Sequence, residues 1–266
     1  MSGNEPNSRT RARRYFLGLA GAAAAMFPLV VEAKGKKGRK QDGKPKGKSE
    51  GNPMCFLRGT SIKSPTGEVC IEDLRPGDLV ETVRGEARAI KWIGHSVYKR
   101  GGQAWNNSVT PIRVARRALD ERTPHKDLYL SPGHALFIDG VLIRAKELVN
   151  GISIAPVVPT DRETIEYFHI ILDSHDVILA EGAPAETFQL QERNHEDFTN
   201  FADFARLYPF ASHTAMTPCA PIVSLASGRE HLKALLPSPV RRAFQMREPV
   251  RDTFERIATR AAHLVS

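Results

Sequence analysis

The stretch LYLSPGHALFIDGVLI, from Leu128 to Ile143, decides how this chain is read. Two apolar runs flank the pair Asp139-Gly140, and an Asp-Gly pair between such runs is the strongest short-range hairpin signal. Just upstream, Ser131-Pro132-Gly133 breaks the preceding run, so His134 stands at a turn between strands with Ser131 three residues before it. The same texture extends from Cys55 to about Phe188. GEVCIEDL, DLVETV, ARAIKWIG, IRVA, DLYLS, HALFIDGVLI, ISIAPVV and IEYFHIILD are mostly strand-length and rich in β-branched or aromatic residues. RPGD, VRGEA, SPGH and IDGV supply the breaks between them. Helical periodicity is scarce here, so an all-β fold is expected.

An internal echo at an offset of 74 residues places Gly59 on Gly133, Leu74 on Leu148, Gly77 on Gly151 and Val80 on Ile154. It suggests two similar β subdomains about a pseudo-two-fold axis. After Phe188 the texture turns helical. EDFTNFADFARLYPF sets Phe198, Phe201, Phe204, Ala205 and Tyr208 on one stripe, SGRE (Ser227 to Glu230) is a capping-box signature, and EPVRDTFERIATRAAHLV reads as an amphipathic helix.

Net charge is +8 over 266 residues, but it lies at the front of the chain. Residues 1–33 carry +2 and residues 34–53 carry +6, which leaves 26 bases and 26 acids for the remainder. A neutral folded part does not indicate specific nucleic-acid binding. Lys34 to Pro53 has no residue able to join a core and reads as a solvated, disordered Lys/Gly-rich linker. Residues 1–33 resemble a twin-arginine signal: Arg13 and Arg14 precede an Ala-rich apolar run that ends in the small-residue pattern VEA. A membrane anchor is disfavoured because the run is short and contains Pro28. The expected domains are therefore 1–33 signal, 34–53 linker, 54–188 β domain and 189–266 helical extension. The twin-arginine translocase is the expected partner. The mature form is expected in the periplasm or outside the cell, without a transmembrane segment.

The chemistry is sought where linker meets fold. A cysteine there, Cys55, can add its sulfur to the Met54 carbonyl and turn the Met54–Cys55 amide into a thioester. The amide nitrogen is a poor leaving group, so an imidazole must protonate it and donors must hold the oxyanion. His134 offers the imidazole and Ser131 a hydroxyl on the same turn.

At this point CFLRGTSIKSPTGEVCIEDLRPGDLVET, LYLSPGHALFIDGVLIRAKELVNG and EYFHIILDSHDVILAEGAPAETF resemble the Hint (Hedgehog/intein) family, and more closely its bacterial Hint-domain branch. The resemblance covers about half the chain and implies a horseshoe-shaped, pseudo-two-fold β fold. It also implies that Cys55 is the nucleophile and that SPGH stands for T-x-x-H, so that His134 protonates the amide while Ser131 orients it or holds the oxyanion. His175 matches a later histidine, and either His169 or Asp173 the polar residue paired with it. Residues 169, 171, 173 and 175 would share one face of an uninterrupted strand.

The sequence departs from splicing inteins at LAEGAPAETF, which lacks their terminal asparagine. The resemblance then leaves autocatalytic thioester formation at Met54–Cys55, resolved by water or by an unidentified nucleophile. Scission is expected to be slow, gated or postponed until after export. No cofactor or metal is implied, since His134, His169 and His175 lack compact ligand spacing. Two alternatives stand beside this reading: an inactive exported interaction module, or a secreted cysteine hydrolase using Cys55 and His134. Cys70 reads as a core strand residue, and a Cys70–Cys219 disulfide is conceivable.

Overall fold

The computed structural model describes residues 54–265 except 103, 192–193, 209–214 and 225–248. The signal, the linker and the SGRE capping box lie outside the described residues.

Fifteen short strands carry the regular structure of the described residues, with few helices beside them. They are β1 (Phe56–Leu57), β2 (Ser61–Ser64), β3 (Gly67–Cys70), β4 (Leu79–Glu81), β5 (Ala87–Ala89), β6 (Trp92–Lys99), β7 (Ile112–Val114), β8 (Leu128–Leu130), β9 (Ala135–Ile138), β10 (Val141–Arg144), β11 (Ile154–Pro156), β12 (Thr164–Ile171), β13 (Val177–Ala180), β14 (Ala183–Glu186) and β15 (Ile222–Val223). A six-stranded sheet runs β11-β7-β8-β1-β12-β6, and a seven-stranded sheet runs β15-β10-β9-β14-β13-β2-β3. The β4–β5 hairpin is a separate two-stranded sheet, and the Thr82↔Ile178 bridge ties its end to β13. The fold is all-β, as the strand-length runs and Gly/Pro breaks require.

The β9–β10 hairpin forms at the Asp-Gly pair, with Ile138 opposite Val141. Asp139 (φ 51°) and Gly140 (φ 85°) both take positive φ, as a type I′ turn demands. The echo also has a structural basis. Leu74 and Leu148 are both buried in one core, Gly77 and Gly151 both turn with positive φ, and Val80 and Ile154 both enter strands fully buried.

The longest ladder pairs β6 with β12, from Trp92↔Ile171 to Lys99↔Thr164. Between β8 and β12 lies the two-residue β1, with Phe56 opposite both Phe168 and Leu130. Phe56 is fully buried among Leu130, Leu136, Ile143 and Ile170. Removing a phenyl ring from such a place costs about 3–5 kcal/mol, so the strand that follows Cys55 is held tightly. A second cluster surrounds Cys55 itself: Trp92, Tyr167, Ile171, Phe188 and Phe198.

Several expectations are corrected. The strand carrying His169 stops at Ile171, and a bend at Asp173 and Ser174 separates it from His175, which precedes β13. The extension is not purely helical. Besides α1 (Phe201–Leu207) and α2 (Pro249–Val265), it contains β15, paired parallel with β10. Within the aromatic stripe Phe198 and Phe204 are buried, whereas Ala205 faces out. Finally, Cys70 ends β3 at one margin of the seven-stranded sheet while Cys219 precedes β15 at the other, and neither forms a disulfide. Cys70 is half-buried rather than a core residue. No helix among the described residues is long and apolar enough to cross a membrane.

Candidate active site

Cys55 immediately precedes β1, and Ser131, which immediately follows β8, lies beside it. The Cys55 N–H donates to Ser131 Oγ at 2.7 Å, and the Ser131 N–H donates to the Cys55 carbonyl at 2.9 Å. The serine thus grips the candidate scissile amide from its nitrogen side. The Ser-Pro-Gly turn then places His134, whose N–H donates to the Ser131 carbonyl at 3.1 Å. The His134 ring centroid lies 4.3 Å from that of Phe56 and 4.9 Å from that of His169. Strand β12 supplies His169 from the residue after Phe168, the register partner of Phe56. Cys55, Ser131, His134 and His169 are therefore brought together.

This group is almost completely removed from water: Cys55 is 2% exposed, His134 0% and His169 1%. Neither ring nitrogen of His134 or His169 has a hydrogen-bond partner among the described residues. Leaving buried polar groups unpaired costs about 1–3 kcal/mol each, so each one calls for an explanation, a catalytic role among them. Burial lowers His134 to a pKa of about 4, opposed by the Glu186 charge and the nearby Met54 carbonyl and reinforced by His175. That carbonyl is close enough to favour the charged ring, although its approach falls short of hydrogen-bond geometry. Burial also drives His169 well below its ordinary value, with His134 adding repulsion. The Cys55 thiol is pushed far up by desolvation, only partly offset by the Met54 backbone. In the resting site the sulfur is a protonated thiol and both imidazoles are neutral.

His175 lies in an adjoining group. Its Nε2 is 3.5 Å from Glu186 Oε2, with both side chains buried, and its Nδ1 accepts the Cys219 N–H at 3.1 Å. Glu186 is anchored from its other oxygen, Oε1, by the Ala135 N–H at 2.8 Å. Burial opposes charge on His175, but the Cys219 side chain and the Glu186 carboxylate outweigh it and raise the ring to about 9. The Cys219 N–H requires a lone pair on Nδ1, so in the neutral ring the proton sits on Nε2, towards Glu186. Charging the ring puts a second proton on Nδ1, which removes the lone pair that accepts the Cys219 N–H. Asp173 takes no part. It is 86% exposed and paired with Lys91 Nζ at 3.3 Å, because the bend after β12 turns it outward. Of the two residues proposed to accompany His175, His169 lines the site and Asp173 does not.

The Hint domain family matches residues 54–192, just over half of the chain. This chain belongs to the Hint domain family. No curated protein matches it. Solved structures similar to it include the MchDnaB-1 intein, at 16% identity and TM-score 0.35, spanning 50% of this chain and 99% of that one. A bacterial intein-like domain from Clostridium thermocellum is 13% identical, with TM-score 0.36, over 51% of this chain and 98% of its own. A DnaB intein from Synechocystis is 13% identical, with TM-score 0.34, over 50% and 98%. Likenesses this distant carry no argument about the chemistry of this chain.

Two residues of this site escaped the sequence reading. Glu186 follows Ala183, Pro184 and Ala185 in β14, and its inward position on a buried strand was its only signal. Cys219 had no signal beyond being a cysteine, since its place depends on the tail folding back. A separate grouping of ligand atoms joins Glu68, His125 and Glu181. Lys126 lies 3.8 and 3.9 Å from its two carboxylates, so ion pairing accounts for the grouping. A cavity of about 510 Å³ lined by Arg58, Tyr129 and Ile165 does not reach Cys55 or His134.

Proposed function

We propose that this Hint protein cuts its own chain at Met54–Cys55 by an N–S acyl shift, without splicing. The carrying observation is the 2.7 Å hydrogen bond from the Cys55 amide to Ser131 Oγ, with the Met54 carbonyl beside His134. Membership of a self-processing family supports the same reading. The thiol proton passes to the His134 imidazole. The sulfur adds to the Met54 carbonyl carbon, and the imidazolium then delivers the proton to the departing Cys55 nitrogen. One C–S bond forms, one C–N bond breaks, and the proton ends on the new amine. Ser131 Oγ accepts from the amide, which supports an orienting role. The thioester is then resolved by water or by transfer to another nucleophile.

A nucleophile with 2% exposure sees its own chain and little else, which speaks against a hydrolase acting on free peptides. The same burial opposes forming the thiolate and the imidazolium, so the closed site is slow. Slowness is what an exported protein needs if Arg13 and Arg14 are to direct it across the membrane before residues 1–54 are lost. The test is incubation of the full chain with hydroxylamine. A fragment beginning at Cys55, absent in Cys55→Ala, is expected; identical cleavage in wild type and variant would overturn the proposal. N-terminal sequencing of the exported protein tests export, with Lys34 expected as the first residue of any uncut mature form.

A further inference from the structure

Residues 194–208 lie just past the segment matched by the Hint family and pack onto the Cys55 side of the β body. Phe198 and Phe204 are both buried, and their rings lie 5.5 and 5.2 Å from that of Trp92. Phe198 also lies 5.2 Å from Phe188, whose ring is 5.2 Å from that of His169. Cys55 belongs to the same buried cluster, so these two phenyl rings help to hold its sulfur away from water.

The segment coheres as a unit but is lightly attached. Within it the Phe198 N–H donates to the His195 carbonyl at 3.4 Å and the Tyr208 N–H to the Phe204 carbonyl at 2.9 Å, while the His195 ring lies 4.6 Å from Phe204. Of the seven residues of α1 only Phe204 is buried. Hydrogen bonds along the edge strand β6 fasten the segment. Asn200 Oδ1 accepts the His95 N–H at 2.8 Å, Asn200 Nδ2 donates to the Ile93 carbonyl at 2.9 Å, and the Thr199 N–H donates to the His95 carbonyl at 2.8 Å. Beside these bonds a cavity of about 320 Å³ opens between α1 and the body, lined by Asp203, Arg206 and Leu207 on one side and by Leu74, His95 and Phe168 on the other. A short helix with one buried side chain and a cavity along its flank opens more readily than the sheets beneath it.

We propose that residues 194–208 form a cap that closes over Cys55, and that scission at Met54–Cys55 proceeds from a form in which this cap has swung away. This rests on the acyl shift proposed above and names what holds that shift back. With the cap closed, Cys55 is 2% exposed, and moving the thiol proton to His134 separates charge in a dry site. Withdrawing Phe198 and Phe204 admits water, which solvates the charged pair and then attacks the thioester. The pairing of β1 with β8 and β12 does not involve the cap, so Cys55, Ser131 and His134 keep their places when it opens. Opening makes and breaks no covalent bond; it changes access alone.

Iodoacetamide labelling of Cys55 in the full chain, read by peptide mass spectrometry, tests the opening without any variant. In urea below the unfolding transition the labelling rate is expected to rise with a slope under about a third of the equilibrium m value, because opening a short segment exposes little surface. A slope equal to the m value means that Cys55 is reached only by global unfolding and overturns the cap. Asn200→Ala removes two of the attachments to β6 and is expected to speed Cys55 labelling roughly tenfold, with hydroxylamine-driven release of the Cys55 fragment rising by a similar factor. Gly94→Ala, whose Cβ would lie 2.6 Å from the Phe198 ring, is expected to act in the same direction. Faster labelling with unchanged or slower fragment release in both variants overturns the gating role and leaves the acyl shift standing. If hydroxylamine releases no fragment from wild type or either variant, the acyl shift fails and the gate with it.

Discussion

Acidifying the protein from pH 7 to 4 tests the account of its buried histidines most directly. His134 is wholly buried and held at a pKa of about 4, against 6.5 in the unfolded chain. Between those values the unfolded state binds a proton that the folded state refuses, so stability falls as pH falls through that window and levels off below about 4. A shift of this size corresponds to roughly 3 kcal/mol, a large part of a typical domain's stability. His169 is lowered for the same physical reason and adds to the slope. The assay is urea unfolding at pH values from 4 to 7.5, followed by the fluorescence of the buried Trp92 and Trp105. His134→Gln keeps a polar side chain of similar reach and removes the titration. Its slope is expected to be smaller than wild type by about one proton. A flat wild-type profile, or equal slopes in the two proteins, would refute the claim that this imidazole is kept neutral by burial.

The same geometry sets other outcomes. His175, raised to about 9, contributes stability below pH 6.5 that disappears as pH rises through about 9; Glu186→Gln is expected to shorten that alkaline loss in the same unfolding assay. The reactive thiolate–imidazolium pair at Cys55 and His134 has the same net charge as the resting thiol–imidazole pair, so scission is expected to be nearly independent of pH from about 5 to 8. A tenfold change per pH unit there would contradict an internal proton exchange. Ser131→Ala leaves the buried Cys55 N–H unpaired, for about 1–3 kcal/mol lost on urea unfolding and slower release of the Cys55 fragment, and Ser131→Thr is expected to restore both. A Cβ at Gly94 would lie 2.6 Å from the Phe198 ring, so Gly94→Ala is expected to cost about 1–3 kcal/mol and to raise protease sensitivity around residues 194–208. Asp173→Asn, on an exposed turn, is expected to change stability by less than about 0.5 kcal/mol and leave fragment yield unaltered.

Much of this protein was legible in its residues because the relevant signals are local. Alternating short runs and an Asp-Gly pair specify strands and a hairpin through nearest-neighbour sterics, and the 74-residue echo survives as matched buried leucines and turn glycines. Cys55, Ser131 and His134 were found together because each is fixed by its own turn or strand boundary. What failed was continuity. A strand was extended through Asp173, although the chain bends there and exposes the carboxylate to water and Lys91.

The linear order of residues thus determined the β class and the Ser-Pro-Gly-His turn, since backbone conformation and side-chain type settle these within a few residues. Only the tertiary structure decided that His169 rather than Asp173 lines the site, that Glu186 points inward, and that Cys219 meets His175 across 44 positions of sequence. The reason is physical. Strand register and the docking of β15 on β10 depend on which distant apolar faces exclude water together, and no short window of sequence contains both faces.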